Sequence, residues 1–533
     1  MVAGAARERR EIAGFEPEGW LIPSSRTEED DALSMFNRTD PYWDRLWAPG
    51  SQAVWTSRHS GPDDEPLVSF GTRENKRLLM SRDEAMDILV SNRGRAERLA
   101  AWGVLDSWRT VSAEQLAVLT GSTFFLDPNY SQIVASFAAE LLDVGSFALR
   151  NGTLPGRGQT ALYRPRTGDA FEKELKKTLT YPEWVSVTGG YAWSSGGQFD
   201  RHNLLATELA IRAAEYLPGV GTVMGEKFSS IELLAGLSAQ ERKINKDRLE
   251  KAKAKGPEAY EAELERQRPG RLDNRRGDGT IVRSDGLRIV YEVTATSSAS
   301  FESKVRRWAQ TIDKRPLETS GLAVVFIAAP HPDRDRHASA DPIHNIYKVI
   351  AKVLKEFPGT GADSPAARIG VAHWQDWFPA RGQISDGFLD LQADFALGPA
   401  SARWVPRRMM STDDYAFKPF TDTFDPTALI DNARLLAATP HWLRTGDHTD
   451  LIGTPLARAK KTKADIPKPY PARPNRTRGR TLGANVGAVK GETTLPDRLR
   501  IRGRDIAAER VYLERKKDRA QARRSAGSLP DWA

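Results

Sequence analysis

GDGTIVRSDGLRIVYEVTATSSASFESKVRRW, residues 277–308, is the stretch on which the reading of this chain turns. Two apolar runs flank Asp285-Gly286, and an Asp-Gly pair between such runs predicts a β-hairpin. By strand alternation Arg288, Val290, Glu292 and Thr294 share one face, and Ile289, Tyr291 and Val293 the other. The hairpin carries Asp278, at the head of its first strand, toward Glu292 near the end of its second. Lys304 follows on a predicted helix. Two carboxylates converging at one sheet end can hold a hard divalent cation such as Mg²⁺ through oxygen. Such an ion polarises a phosphoryl oxygen and acidifies bound water, the two requirements of phosphodiester hydrolysis. Each residue also has a plainer reading. Asp278 stands between two glycines as a turn residue would, Glu292 can pair with Arg288 on its own face, and Lys304 belongs to a basic run with Arg306 and Arg307.

Around the hairpin, strands and helices alternate. RHNLLATELAIRAAEYL (201–217) has a helical apolar stripe, GLAVVFIAAP is a buried-strand run closed by Pro330, and PIHNIYKVIAKVLKEF reads as a helix. ARIGVAHWQDWF and GFLDLQADFALG read as further strands. The expectation is an α/β domain with a central sheet over 190–400. Its interruption at 239–276, almost all charge and alanine, reads as a solvated helical insertion broken at Gly256-Pro257.

Upstream, 81–170 reads as helices followed by a hairpin, the winged-helix order, whose third helix usually enters a DNA groove. Ser81 opens SRDEAMDILV with an acid three residues on, a capping-box pattern, and SAEQLAVLTG starts with Ser and ends with Gly121. In DPNYSQIVASFAAELLDVGSF, Asp127 before Pro128 predicts a helix start, and Ile133, Val134, Phe137, Leu141 and Leu142 form its apolar stripe. Asn129, Tyr130, Ser131, Gln132 and Ser136 are then its exposed polar groups, facing bases. The hairpin after it carries Arg150, Arg157, Arg164 and Arg166 and no acid from Arg150 to Gly168, a candidate DNA-binding wing. The alternative is a winged helix used for packing or protein contacts.

The rest of the chain is less periodic. Residues 1–80 form a Trp-rich arm in which Trp20, Trp43, Trp47 and Trp55 are read as docking anchors, 401–457 is irregular, and 458–533 is a basic, partly disordered tail. The formal charge of +8 belongs to that tail: it holds 21 Lys/Arg against 8 Asp/Glu, and the residues before it 57 against 62. A basic tail is either a phosphate-binding arm or a solvated extension. With no Cys, disulfides, thiolate zinc sites and a cysteine nucleophile are excluded. The N-terminus has no apolar core segment and no apolar run approaches membrane length, so a cytoplasmic protein with no membrane partner is expected. No GxxxxGK[ST], HxH, HExxH or GxSxG occurs, which argues against NTPase, histidine-ligated relaxase, zinc hydrolase and serine hydrolase chemistry.

The order helix, three strands, helix, strand over 202–329, with Asp278 and Glu292 in place, resembles the PD-(D/E)xK nuclease superfamily. That resemblance implies a restriction-endonuclease-like domain, with Mg²⁺ as cofactor and Glu208 as the acid often carried by the first helix. Thr294 stands where the superfamily has Lys, and Lys304 on the next helix is the candidate replacement. Residues 81 to about 330, with His202, Leu204 and Glu208 following the winged helix, also look like replication-relaxation proteins of plasmids, integrative elements and phages. The implied fold class is α/β (α+β across the domains). The implied function is that of a non-catalytic or weakly catalytic DNA-binding accessory in replication or mobilisation, acting with replication or transfer proteins. Two alternatives are carried beside it: a Mg²⁺-dependent endonuclease using Asp278, Glu292 and Lys304 with Glu208 as a further ligand, and a scaffold that does not bind DNA.

Overall fold

The computed structural model describes residues 33–444, except 45–50, 56–58, 61–65, 69–77, 150–151, 154–159, 167, 195–199, 230–238, 267–275, 296–298, 315–320, 331, 333–341, 402, 417–429 and 432. The basic tail, Trp20, Trp47, Arg150 and Arg157 lie outside the described residues.

The N-terminal half builds a helical module with a small sheet. Strand β1 (Ser51–Trp55) is followed by a three-stranded ribbon, β2 (His59–Ser60), β3 (Pro66–Val68) and β4 (Leu78–Leu79). Helix α1 (Arg82–Val90) starts at Ser81, whose hydroxyl accepts the Glu84 amide while the Glu84 side chain accepts back, the predicted capping box. Then come α2 (Arg95–Trp108), β5 (Val111–Ser112), α3 (Ala113–Thr120), α4 (Ser131–Ala138), β6 (Leu142–Leu149), β7 (Gly152–Thr153) and β8 (Ala161–Pro165). Gly121 ends α3 with φ +81°, a conformation its missing Cβ permits. The sheet runs β1-β6-β8-β5, all antiparallel, so the strand between α2 and α3 pairs with the last strand of the hairpin.

Two expectations for α4 change. It begins at Ser131, because Asp127 instead folds a turn that accepts the Asn129 amide. It ends before Leu141, because Glu140 takes φ +61° and the Leu141 amide reaches back to the Ser136 carbonyl, which sends Leu142 into β6. More important for function, Gln132 through Ala138 are buried. Gln132 Oε1 accepts from Arg98, and Ser136 Oγ accepts from the Trp102 indole, so neither is available to a base edge. Helix α1 packs across α4.

After α5 (Asp169–Lys173) and α6 (Tyr181–Thr188), α7 (Asp200–Tyr216) leads into a seven-stranded mixed sheet. Strand β9 (Val220–Gly225) is followed by the charged insertion, helices α8 (Ala239–Lys255) and α9 (Pro257–Arg266), broken at Gly256 with φ +121°. The sheet continues as β10 (Gly279–Arg283), β11 (Arg288–Thr294), α10 (Ala299–Lys314), β12 (Leu322–Ala328), α11 (Ile343–Leu354) and β13 (Ile369–His373). It ends with β14 (Gln392–Ala396) and β15 (Trp404–Arg408). Every strand pairs with its sequence neighbour, antiparallel except β11–β12 and β12–β13, which run parallel across α10 and α11. Strands β11 and β12 are buried along their whole length; β12 is accordingly an unbroken apolar run, whereas β11 also buries Arg288, Glu292 and Thr294. The sheet extends past the expected limit at 400. The supposedly irregular 430–444 returns to the helical module, where the Trp108 indole donates to the Ala438 carbonyl and Ser186 Oγ to that of Leu435.

Segment 33–44 straps α7 to the sheet. Arg38 is fully buried and donates to Glu208 (2.9 Å) and Glu215 (2.7 Å), while Arg212 donates to Glu208 (2.9 Å) and to Asp40 (2.8 Å). The Tyr42 hydroxyl donates to the Pro330 carbonyl and the Trp43 indole to that of Phe378, so Trp43 docks, as expected of it. Removing one partner of such a buried network leaves a charge uncompensated, at a cost of about 3–5 kcal/mol. Arg38→Met is therefore expected to lower the unfolding free energy by about that amount, read as a reduced urea midpoint of the full chain. A midpoint matching the wild type would contradict the strap.

Candidate active site

The hairpin forms as its sequence requires. Gly286 takes φ +91° in the turn, and the Leu287 amide donates to Asp285 Oδ1. Gly279 pairs with Tyr291, which sets Asp278 opposite Glu292 one step further along. The Asp278 amide donates to the Tyr291 carbonyl (2.9 Å), and Asp278 Oδ2 accepts the Val293 amide (2.6 Å). The glycines beside Asp278 answer a packing demand: a Cβ at Gly277 would meet Val290 Cγ1 at 2.1 Å, and one at Gly279 the Tyr291 hydroxyl at 2.0 Å. Tyr291 passes over Gly279 to donate its hydroxyl to the Ala206 carbonyl of α7. His202, one turn before Ala206, thereby comes over the hairpin, and its Nε2 lies 2.8 Å from Asp278 Oδ1.

Helix α10 supplies the other side. Lys304 forms an ion pair with Glu292 Oε2, and Trp308, four residues on, donates its indole N–H to Glu292 Oε1 (2.8 Å). One helical face therefore grips both oxygens of a fully buried carboxylate. His202 and Lys304 keep side-chain exposures of 27 % and 32 %, so the cluster opens to solvent on their side. Asp278, Glu292 and Lys304, singled out from sequence, come together; His202 joins them; Trp308 escaped sequence reading, although its spacing from Lys304 was the available signal.

The environments split the two acids. Burial disfavours the Asp278 carboxylate, but His202 and Lys304 outweigh it and bring the group down to about 2. Burial, only partly offset by Lys304 and reinforced by Asp278, pushes Glu292 up to about 7. Burial also opposes the charged forms of His202 and Lys304, yet Asp278 and Glu292 respectively hold both above their ordinary values. Opposed shifts in one cleft mark a functional-site candidate.

Other candidates lie elsewhere. Glu208 is not beside Asp278 in this cluster's contacts: it is buried under Arg38, Arg212 and Gln115. Burial works against its charge there, and the two arginines outweigh it, bringing it down to about 2. Its oxygens are occupied structurally, which corrects its expected place among the metal ligands. Arg164 pairs with Asp143 (3.0 Å) and Asp200 (3.5 Å) and lies 3.9 Å from the Trp55 ring centre, while Arg166 faces Asp143 (3.6 Å) and Glu140 (3.8 Å). Arg164 and Arg166, the two of the four candidate DNA-binding arginines that lie among the described residues, thus have carboxylate partners of their own. The acids came from the turn before β6 (Glu140), from β6 itself (Asp143) and from α7 (Asp200), outside the acid-free window that suggested a DNA face.

Compared with protein-family models, curated proteins and solved structures, the chain matches none. The site must be read from its own chemistry. Among the described residues, no group of three or more His, Asp and Glu side chains is placed to hold a metal ion. A cation at this site would take Asp278 and Glu292 and complete its shell with water or substrate oxygen, which is the habit of Mg²⁺. The donors fit: both are hard oxygens, and a buried carboxylate pushed up to about 7 gains its ionised form when a cation stands beside it. Below that value a proton holds Glu292 and competes with the metal, so affinity should fall as pH drops and level off above it. Mn²⁺ titrated by electron paramagnetic resonance between pH 5.5 and 8 is expected to lose up to about tenfold in affinity per pH unit on the acid side. Glu292→Gln should flatten the profile, and a flat wild-type profile would remove Glu292 from the ligand set.

Proposed function

We propose that the chain is a divalent-metal-dependent DNA endonuclease, with Asp278 and Glu292 as the metal-holding carboxylates and Lys304 as the cation beside them. The observation that carries this reading is the convergence of those three side chains, from two strands and the following helix, at one end of the sheet. The metal would supply a polarised phosphoryl oxygen and a more acidic water. The protein's share is positional. The Val293 amide and His202 fix Asp278, Trp308 fixes Glu292, and Lys304 keeps a positive charge against the anionic centre. Lys304 arriving from α10 also answers the departure at Thr294, which is buried at the end of β11. The helix, three-strand, helix, strand order supports the PD-(D/E)xK likeness, and the basic tail supports a polyanionic substrate.

A second reading, the non-catalytic DNA-binding accessory of replication or mobilisation, is favoured by one specific observation. Each carboxylate already faces a protein cation, so the cluster is charge-matched without a metal. A plasmid-nicking assay with Mg²⁺ or Mn²⁺, run beside a binding gel, separates the two. The endonuclease reading expects nicking by the wild type and a loss of at least about 100-fold in Asp278→Asn and Glu292→Gln, since even outer-shell partners of metal ligands cost about 10- to 100-fold. Binding should persist in both variants. Shifts by all proteins with no nicking by any would leave the accessory reading, and no shift at all the scaffold.

A further inference from the structure

With Arg164 and Arg166 facing carboxylates of their own, a different basic site stands at the junction between the helical module and the sheet. Arg109 follows α2, Glu226 follows β9, and Arg276 lies two residues before Asp278. Arg109 Nε is 3.4 Å from Glu226 Oε2, and Arg276 Nη1 is 3.5 Å from Glu226 Oε1, so the two guanidinium groups take opposite oxygens of one carboxylate. Both distances exceed the roughly 2.7–2.9 Å of a tight charge-assisted hydrogen bond. A carboxylate approached by two guanidinium groups from opposite sides occupies the place that two oxygens of a phosphate could take. We propose that Arg109 and Arg276 form a phosphate clamp for the DNA backbone, occupied in the free protein by Glu226 as an internal substitute anion. The naming of DNA as the phosphate's source rests on the reading above.

Three further observations support the clamp. Arg109 has φ +70° and ψ −117°, a conformation strained for any residue with a Cβ, and such strain collects at functional positions. The two elements also approach closely there: a Cβ on Gly225 would meet Ser107 Oγ at 2.5 Å and its carbonyl oxygen at 2.8 Å, so the end of β9 presses directly on the end of α2. Like charges are gathered there as well: the buried Lys227, paired with Asp106 and donating to the Ala192 carbonyl, lies within electrostatic reach of both arginines. Finally, Gly225 pairs with Gly279, so the clamp stands at the same sheet end as Asp278. A strand gripped there lies beside the carboxylates. Side-chain exposures of 12, 20 and 28 % for Arg109, Arg276 and Glu226 keep the trio in reach of solvent.

The test measures binding of a short labelled DNA duplex to the full chain by anisotropy, in EDTA and across a salt series. Arg109→Gly and Arg276→Gln should each weaken binding and reduce the slope of log K against log salt by about 0.9, the loss of one phosphate contact. Arg109→Gly relieves the backbone strain, so its thermal midpoint should not fall, which separates lost binding from lost folding. Glu226→Gln removes the competing anion and should tighten binding several-fold. Unchanged affinity and slope in both arginine variants, or no duplex binding by the wild type, would overturn the clamp even if plasmid were cleaved. Weakened binding in those variants without any plasmid cleavage would keep the clamp and remove the endonuclease.

Discussion

Arg38 is the residue on which the arrangement depends. Its guanidinium lies without exposure among Glu208, Glu215 and the Leu33 carbonyl, and Arg212 completes the circuit to Asp40. Leu33, Met35 and Tyr42 bury apolar surface in the core, and the charges on α7 fix where Arg38 lies among them, because Glu208 and Glu215 are buried and each buried carboxylate needs a cation. Burial pushes Glu215 above its ordinary value, with Arg38 offsetting only part of this, so the strap compensates the two acids unequally.

Glu208 and Glu292 show how little residue type says without surroundings. Both are acids with no exposure, and both were candidates for one metal. Glu208 receives two arginines and an amide and is held as an anion under all ordinary conditions. Glu292 receives one lysine and one indole, faces a second carboxylate, and is left near the midpoint of its titration at neutral pH. A fully compensated acid is a strut. An acid compensated only in part, beside an opening, can exchange its partner for a ligand, and the active-site proposal assigns that capacity to Glu292.

What was legible in the sequence was local. The Asp-Gly turn, the alternation of β11, the capping boxes and the helix carrying Lys304 are each decided within a few residues, and each formed where expected. What was illegible came from far along the chain. Arg38 meets Glu208 across a sequence separation of 170, which no spacing rule foresees. The burial of α4 depends on α1 folding over it, although SQIVASFA, a helix with no charged residue, carried a sign of that fate. Of the basic residues in the hairpin's stretch, Arg164 and Arg166 are met in space by Asp143, Glu140 and Asp200. Strand β15 was missed because WVPRR has a proline and an edge position, where apolar alternation fades.

Helix α7 then ties these parts together. Its first residue, Asp200, accepts from Thr110 Oγ1 (2.7 Å) and the Trp55 indole (3.2 Å) and faces Arg164 of β8. Two residues on, His202 holds Asp278. One turn later Ala206 receives the Tyr291 hydroxyl, and Glu208, Arg212 and Glu215 bind the strap. A helix rises about 1.5 Å per residue, so the β6–β8 hairpin and the carboxylate site are held by the same turn of α7, with the strap bound along the turns that follow.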